Sequence, residues 1–297
     1  MPRKILFLTR QPETEFYIQE QNKYDNVTST CIFKKTGFLG KLLCKILRLK
    51  GSFLFFGDWK ENISDYDLFI IRASRYSLEV SKYIRERSNK KIVQWYWNPV
   101  CADIHPDKVR GYGAEICSFD PSDCKNYNLK YITPYYFSTF KLPHNKIVND
   151  IYFVGADKGR LNVLLDLRKT FGDQGLKVDY RITKSSKSTE SGNYTYQPGI
   201  PYHQVLEEIS SCRAILDYVQ SGQTGLTLRP MEALFHKKKL ITNDVNICEY
   251  DFYNKSNIFI LGKDDLTELK SFIHSPYMEI DKRIVEKYDF KNWLKNF

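Results

Sequence analysis

The chain has 297 residues, of which 42% are hydrophobic and 27% are charged. This length is too great for one ordinary core and fits two domains of about 140 residues each. The hydrophobic content is ordinary for a globular protein, and no apolar stretch approaches the roughly 20 residues that cross a bilayer. The composition therefore argues against a membrane-spanning helix and predicts two packed domains.

The chain carries a net charge of +10, which predicts an anionic partner such as nucleotide phosphates, acidic lipid or nucleic acid. Its seven cysteines are scattered, without the close pairs of a zinc site or a disulfide framework. We therefore expect reduced thiols and no metal site. The N-terminal residues lead into an apolar stretch too short for a signal-peptide core, so we expect a cytoplasmic protein.

Short apolar runs alternate with helix-length segments, which is typical of α/β proteins with parallel sheets. In the first half we predict strands at residues 4–8, 28–33, 68–71, 91–95 and 115–118. Helical spacing of apolar residues predicts a helix at 76–87. Residues 131–146 are rich in aromatics and contain two prolines, so we interpret them as the connection between the domains.

The segment from Phe38 to Lys50 explains much of the positive charge. Its leucines and isoleucine recur at helical spacing, while Lys41, Lys45 and Arg48 occupy another face. Such a helix could lie on the anionic inner face of the cytoplasmic membrane. It could equally pack its leucines on the N-terminal core, and the sequence leaves both interpretations open.

The second half repeats the α/β alternation. We predict strands at residues 150–154, 177–182, 214–217, 239–242 and 258–261. Helices are predicted at 160–171, 202–211, 226–235 and 264–273. Residues 185–199 are rich in Ser, Thr and Gly and read as an exposed loop.

A polar, glycine-containing turn follows the strand that ends at Asp217 and opens an apolar helix. Backbone N–H groups at such a helix start, together with the positive helix end, favour phosphate. Ligands also bind at this carboxyl edge of an open α/β sheet. The turn therefore predicts a donor-binding site that includes Gly222, Gln223, Thr224, Gly225, Leu226 and Thr227.

Two charged residues in the following helix extend this prediction. The carboxylate of Glu232 could accept hydrogen bonds from a pair of ribose hydroxyls, and Arg229 could meet a diphosphate with its planar guanidinium. The alternative interpretation is a surface ion pair between the two side chains, which stand three residues apart.

The segment 222–234, followed by 237–242, resembles the donor-binding region of GT-B glycosyltransferases, particularly bacterial enzymes of lipopolysaccharide-core and capsule synthesis. The resemblance is clearest over residues 150–260, and 118–121 with Asp123 is also similar. It implies two Rossmann-like α/β domains facing across a cleft. Residues 1–145 would bind the acceptor and residues 146–275 the nucleotide-sugar, while 276–297 would return to the first domain.

The same resemblance implies a metal-independent, hexosyltransferase-like enzyme without a cofactor, which moves a sugar from a nucleotide-sugar to a glycan or glycolipid. Retaining GT-B enzymes usually carry two glutamates with seven residues between them, and the resemblance places Glu232 on the second. The first falls on Thr224. This departure favours inversion, in which the N-terminal domain supplies the general base.

A second glycine-containing segment directly follows the first strand of the second half. Gly155 permits close backbone approach, while Lys158 and Arg160 can neutralise the charge of a leaving diphosphate. The resemblance implies that these residues bind the donor. The alternative is that the glycines only make a turn.

Candidates for the general base are Glu13 and Glu15, which follow the first strand, and Asp103 in an aromatic and polar loop. Each could instead be an ordinary solvated carboxylate, and the nearby His105 is more typical of a structural histidine. An alternative hypothesis is that the chain binds nucleic acid. It lacks an RNA-binding signature or a zinc module, so we predict no nucleic-acid partner. A noncatalytic sugar- or nucleotide-binding module is the second rival.

Overall fold

The computed structural model describes residues 2–10, 15–34, 52–186, 188, 194–220 and 222–297. The chain divides into two compact units, Met1–Thr133 with Asn296–Phe297, and Pro134–Lys295. The predicted segment 38–50 and Glu13 lie outside the described residues, as does the side chain of Glu15. Within the described part, no helix has the length and apolar character needed to cross a membrane.

The first unit is built on a parallel six-stranded sheet of order β2-β1-β3-β4-β5-β6. Its strands are β1 (Ile5–Thr9), β2 (Val27–Cys31), β3 (Leu68–Arg72), β4 (Lys91–Tyr96), β5 (Glu115–Ser118) and β6 (Lys130–Tyr131). Its described helices are α1 (Glu15–Gln21), α2 (Ser77–Arg85) and α3 (Pro121–Tyr127).

Burial explains why these segments become central strands. All five residues of β1 are buried, and four of the five in β3 are buried. Continuous apolar runs of this kind suit a parallel sheet that is covered on both faces. One face packs against Val80 and Ile84 of α2 and against the indole of Trp59, which donates a 2.9 Å hydrogen bond from Nε1 to the Ile32 carbonyl.

The second unit contains a parallel five-stranded sheet of order β11-β10-β9-β7-β8. Its strands are β7 (Asn149–Ala156), β8 (Val178–Thr183), β9 (Cys212–Asp217), β10 (Lys239–Thr242) and β11 (Ile258–Ile260). Its helices are α4 (Leu161–Asp173), α5 (Tyr202–Ser210), α6 (Leu228–Phe235), α7 (Leu269–His274), α8 (Lys282–Lys287) and α9 (Phe290–Trp293).

Both sheets follow the same winding, because the first strand of each unit lies between the second and the third. The chain therefore reverses its direction of winding between β1 and β3 and between β7 and β9. In open α/β sheets, ligands bind at the carboxyl ends of the strands at such a reversal point. The predicted α/β class with two Rossmann-like domains is confirmed.

The first and last segments of the second unit pair with each other. The Tyr136 N–H donates to the Tyr288 carbonyl, and the Phe290 N–H donates to the Tyr136 carbonyl, both at 2.8 Å. The Asp289 carboxylate also accepts from the Ser138 N–H at 2.8 Å. Residues 134–145 and 276–295 thus lie in the same unit, which differs from the predicted division at 145 and 275.

Most of the predicted strands are observed within one or two residues of the expected bounds, whereas α1, α3 and β6 were not predicted. The helix predicted at 264–273 is shorter and begins at Leu269, after a 3₁₀ turn at Leu266–Glu268. The polar residues at the start of the predicted segment make local hydrogen bonds instead. Asp264 accepts from the Ile260 N–H at 2.7 Å, and Asp265 caps the 3₁₀ turn. Local hydrogen bonds therefore compete with the helix there.

Candidate functional site

The predicted donor-binding turn follows β9 at the reversal point of the second unit. Asp217 ends β9 and is 3% exposed. Its Oδ1 accepts a 2.9 Å hydrogen bond from the Thr227 hydroxyl, whose oxygen in turn accepts from the Arg229 N–H at 3.1 Å. Burial raises the pKa of Asp217 to about 6, although Thr227 and Arg160 favour the carboxylate. Thr227 thus caps α6 and ties it to the sheet.

The start of α6 offers fewer free N–H groups than a typical phosphate-binding helix. Of its first three residues, Arg229 already donates its N–H to Thr227, and Pro230 has no N–H to donate. Leu226, predicted to face the ligand, is 2% exposed and packs in the core of the unit. Attraction of a phosphate at this edge must therefore depend mainly on side-chain cations.

Side-chain amides within the turn bond to one another and to the main chain of the turn. The Gln220 side chain donates to Gln223 at 3.2 Å, and Gln223 donates to the Gly225 carbonyl at 3.1 Å. Gly222 has φ 83°, a left-handed conformation that glycine adopts without strain. Thr224 is half-buried beside Gly225, which is buried. These hydrogen bonds connect Gln220, Gln223 and Gly225 with one another.

Arg229 and Glu232 form the ion pair that the sequence left as an alternative, but the pair is buried. The Glu232 side chain is 0% exposed and that of Arg229 16%. Nη1 of Arg229 and Oε2 of Glu232 are in close ionic contact that is not aligned as a hydrogen bond. Glu232 Oε1 accepts from the Tyr202 hydroxyl at 2.9 Å. Burial raises the pKa of Glu232 to about 7 against the opposing effect of Arg229.

A buried chain of hydrogen bonds continues from Glu232 toward the far end of α6. The Tyr202 hydroxyl lies 2.6 Å from that of Tyr136, which lies 2.9 Å from Nε2 of His236. Burial lowers the pKa of His236 to about 4, so its ring is neutral at pH 7. The network fixes Glu232, and Glu232 in turn fixes the guanidinium of Arg229. In this structure Glu232 is enclosed by protein, and its predicted contact with ribose stays a prediction.

The second predicted segment follows β7, the strand next to β9. Arg160 donates from Nη2 to the Ala156 carbonyl at 3.1 Å and from Nη1 to the Tyr218 carbonyl. One guanidinium therefore joins the loop after β7 to the loop after β9. A Cβ on Gly155 would stand 3.3 Å from Arg160 Nη2, so the glycine makes room for this group.

The rest of this segment forms a capped turn. Lys158 and Gly159 have φ of 53° and 82°, and Lys158 is exposed while its N–H donates to Ser185 Oγ at 3.0 Å. Asp157 accepts from the N–H groups of Arg160 and Leu161 at 2.9 and 2.8 Å. A carboxylate therefore already occupies the positive end of α4.

The two loops bring two arginines close to one carboxylate. Asp217 lies within electrostatic range of both Arg160 and Arg229. The edge between β7 and β9 thus presents the guanidinium groups of Arg160 and Arg229 near Asp217 and Glu232, two carboxyls whose pKa values are raised by burial. Such an arrangement suits a diphosphate.

The candidate general bases of the first unit that lie within the described residues are Asp103 and Glu15. Asp103 is exposed as a residue, yet neighbouring atoms desolvate its carboxyl and raise its pKa, an effect opposed by Asn98, Arg72 and Arg10. The hydroxyl of Tyr96 donates to the Ile104 carbonyl at 2.6 Å and fixes the same loop. For Glu15, the structure shows only that it begins α1.

Three further residues near these loops have structural roles. His105 accepts from the Asp107 N–H at 3.3 Å and caps a 3₁₀ turn. Asp120 accepts from the first N–H groups of α3, and Asp123 accepts from the Val100 N–H at 2.7 Å. Within the described residues, no group of three or more His, Cys, Asp or Glu side chains is placed to hold a metal ion.

Sequence reasoning missed Asp217, Tyr202 and Tyr136 as members of the site. Asp217 had a usable signal, because it ends a buried strand immediately before the polar turn. The two tyrosines had none, because their contacts to α6 cross 30 and 100 residues of sequence.

Comparisons with known proteins support the fold. No family model and no curated protein matches the chain. A solved structure of a DNA modifying enzyme, a beta-glucosyltransferase studied with its substrate uridine diphosphoglucose, is 15% identical with a TM-score of 0.52. The match covers 99% of this chain and 94% of that chain.

Two other structures are less similar. One is a protein from Listeria monocytogenes that is proposed to be a UDP-N-acetylglucosamine 2-epimerase. It is 10% identical, with a TM-score of 0.46, and the match covers 96% of this chain and 90% of that one. The other is the glycosyltransferase SnogD from Streptomyces nogalater, with 11% identity and a TM-score of 0.40 over 99% and 95%. The chain therefore has a glycosyltransferase-type fold of two Rossmann-like units.

Proposed function

We propose that this protein is a glycosyltransferase whose second unit binds a nucleotide-sugar at the carboxyl ends of β7 and β9. The observation that carries the proposal is the position of Arg160, which bonds to main-chain carbonyls after both β7 and β9 at the reversal point of the sheet, with Arg229 in the helix that follows β9. The two segments predicted from sequence to bind the donor are the loops that Arg160 joins.

The donor that we propose is a uridine diphosphate sugar. The structurally similar beta-glucosyltransferase has uridine diphosphoglucose as its substrate. In the proposed complex, Arg229 and Lys158 pair with the diphosphate and stabilise its charge as the sugar leaves, a role that guanidinium and ammonium groups can fill without a metal ion. No resident cofactor is needed, because the nucleotide-sugar is a substrate.

For the acceptor we propose a glycan or glycolipid of bacterial surface polysaccharide, lipopolysaccharide or capsule. The support is the resemblance of residues 222–234 to enzymes of that kind. Transfer with inversion is proposed because Thr224 stands where retaining enzymes carry a glutamate, and Asp103 is the described candidate for the base. Contact with anionic membrane through the segment from Phe38 to Lys50 belongs to the same proposal and rests on sequence alone.

Calorimetric titration with UDP, GDP, CMP and dTDP tests the donor site directly. We expect UDP to bind, and Lys158→Gln and Arg160→Gln each to weaken it about ten- to a hundredfold by removing a charge-assisted contact or the tie between the loops. Arg168→Gln, a charge change at an exposed position on α4, is the matched control and should bind UDP normally.

Two outcomes would contradict the proposal. Folded Lys158→Gln and Arg160→Gln variants with normal UDP affinity would remove this edge as the donor site. UDP binding without release of UDP from a UDP-sugar, in the presence or absence of glycan acceptors, would instead indicate a noncatalytic binding module.

A further inference from the structure

A cavity of about 740 Å³ lies in the second unit, at the C-terminal end of α6. Its wall is formed by side chains from residues 138–142, 235–237 and 282–295, all of which belong to this unit. Because α6 has eight residues, the cavity lies roughly 12 Å from the donor turn that precedes the helix. Its volume is within the range of roughly 300–1,000 Å³ that is typical of small-molecule sites.

Lysines are the most frequent residues in this wall. It contains Lys141, Lys237, Lys282, Lys291 and Lys295 against two carboxylates, Glu286 and Asp289. All five lysines are exposed. His236 adds no charge at pH 7, because burial lowers its pKa to about 4. The wall therefore carries an excess of positive charge.

Two of the five lysines have acidic partners. Nζ of Lys282 lies 3.4 Å from Glu286, and Nζ of Lys237 lies 2.7 Å from Glu279. In the second unit, the acidic residue outside the described part is Glu190, which follows β8 in the sequence. The strand β8 ends at the carboxyl edge of the sheet, whereas the cavity lies where α6 leads into the amino end of β10.

The other three lysines, Lys141, Lys291 and Lys295, form no ion pair with a described residue. The remaining carboxylate of the wall is that of Asp289, which is buried. It accepts from the N–H groups of Ser138 and Lys291 at 2.8 and 3.0 Å. Three ammonium groups and one carboxylate thus leave an excess of two positive charges, which favours a bound anion.

Apolar side chains form another part of the wall. Phe140, Leu142, Phe235 and Val285 are half-buried and pack against the apolar core of the unit. The part of each that stays accessible gives the cavity an apolar surface beside its lysines. A ligand that covers this surface gains from the hydrophobic effect in addition to the charge interaction.

We propose that this cavity binds a phosphate monoester that carries an apolar chain. A phosphate monoester has about −1.5 to −2 charges at pH 7, which matches the excess of positive charge better than a single carboxylate does. Lysine binds phosphate as a point charge, without the fixed geometry that arginine imposes. Since the cavity lies at the other end of α6 from the donor turn, the inference goes beyond the proposed function and does not depend on it.

The test is a calorimetric titration of the protein with octyl phosphate below its critical micelle concentration, with inorganic phosphate and with 1-octanol. We expect octyl phosphate to bind saturably and at least about tenfold more tightly than either of the others. Lys141→Gln and Lys291→Gln should each weaken this binding about tenfold, the loss of one charge-assisted contact. Lys169→Gln is the matched control, because Lys169 is an exposed lysine on α4 that does not line the cavity.

Three outcomes would overturn the inference. One is octyl phosphate binding that is absent, or that Lys169→Gln weakens as much as Lys141→Gln and Lys291→Gln do. The second is competition between UDP and octyl phosphate, which would place both ligands at one site. The third is binding to vesicles that contain phosphatidic acid without binding of octyl phosphate, which would indicate a membrane-facing surface. Normal UDP affinity in all three variants would leave the proposed function standing in each case except the second.

Discussion

The two units present arginines at equivalent edges of their sheets but hold them in different ways. In the second unit, Arg229 is paired with the buried Glu232, and Arg160 is tied to two main-chain carbonyls. In the first unit, Arg10 and Arg75 are exposed and rest on the ring of Tyr76. The same winding therefore supports one edge where arginines are held by ionic and main-chain contacts and one edge where arginines are exposed on an aromatic ring.

The difference predicts how substitutions at each edge affect the stability of the protein. Substituting one member of a buried ion pair leaves the other charge without compensation, so both must change together. An arginine held by a cation–π contact at the surface can be replaced with little effect on stability. The paired Arg229 of the second unit is therefore expected to tolerate substitution less well than Arg10 and Arg75 of the first.

The largest effect is expected from breaking the buried pair. Glu232→Leu leaves Arg229 charged and buried, and should lower the free energy of unfolding by about 3–5 kcal/mol. The double variant Arg229→Met, Glu232→Leu removes both charges and should recover most of that loss. Urea unfolding of the three proteins measures both changes.

The matched control for that comparison is Arg75→Gln in the first unit. Its exposed guanidinium should contribute no more than about 1 kcal/mol. A cost for Glu232→Leu as small as that of Arg75→Gln would show that the two edges do not differ in the way that we describe.

The next effect concerns pH. Because burial raises the pKa of Glu232 from 4.5 to about 7, the folded state binds a proton more tightly than the unfolded state does. The stability that comes from this proton is fully present below pH 4.5 and is lost as the pH rises through 7. Relative to Glu232→Gln, the wild type should lose up to about 3 kcal/mol over this range.

Denaturant unfolding of both proteins between pH 4 and 8 checks this sign. Since other groups titrate in both proteins, only the difference between them is informative. A difference that stays constant, or that grows in favour of the wild type with rising pH, would contradict a raised pKa.

A smaller effect is expected at Tyr202, whose hydroxyl donates to Glu232. Tyr202→Phe removes this hydrogen bond to a carboxylate together with the bond between the Tyr202 and Tyr136 hydroxyls, and should cost about 1.5–3 kcal/mol at pH 8, where Glu232 is ionised. At pH 5, where Glu232 is protonated, the cost should be smaller. Tyr196→Phe, which removes a hydroxyl bonded to Asp157, is a useful comparison because the pKa of Asp157 is held low by its hydrogen bonds. Its cost should be equal at the two pH values.

The smallest effect is expected at Gly155. An added Cβ would stand 3.3 Å from Arg160 Nη2, so Gly155→Ala requires a shift of a few tenths of an ångström in the guanidinium. We expect a loss of about 1 kcal/mol or less in stability and a small loss in UDP affinity. Gly199→Ala, with no heavy atom within 4 Å of the added Cβ, is the control and should change neither property.

The sequence predicts most of the sheet because central strands carry their signal locally. β1 and β3 are apolar runs that each end in one polar residue, and their burial follows from that pattern. β6 has only two residues, both exposed, and offers no pattern to detect. The paired loops after β7 and β9 were also predictable, because each follows a clear strand.

The contacts inside the site were less predictable. The helix start after the polar turn looked like a phosphate-binding end, yet Pro230 and the capping Thr227 remove two of its donors. The Arg229–Glu232 spacing left a surface ion pair as the alternative interpretation, but the pair that forms lies beside Tyr202 and Tyr136, which approach from distant sequence. Periodicity within one helix carries no information about such neighbours.

The pairing of distant segments has a consequence for the order in which the protein folds during synthesis. Tyr136 needs Tyr288 and Phe290 as hydrogen-bond partners. In the first unit, Arg3 donates to the Phe297 carbonyl at 2.7 Å. Folding of nascent chains usually proceeds from the N-terminus as each domain emerges from the ribosome. Here the pairing of Tyr136 requires residues 288–290, so the second unit can complete its fold only after those residues have left the ribosome.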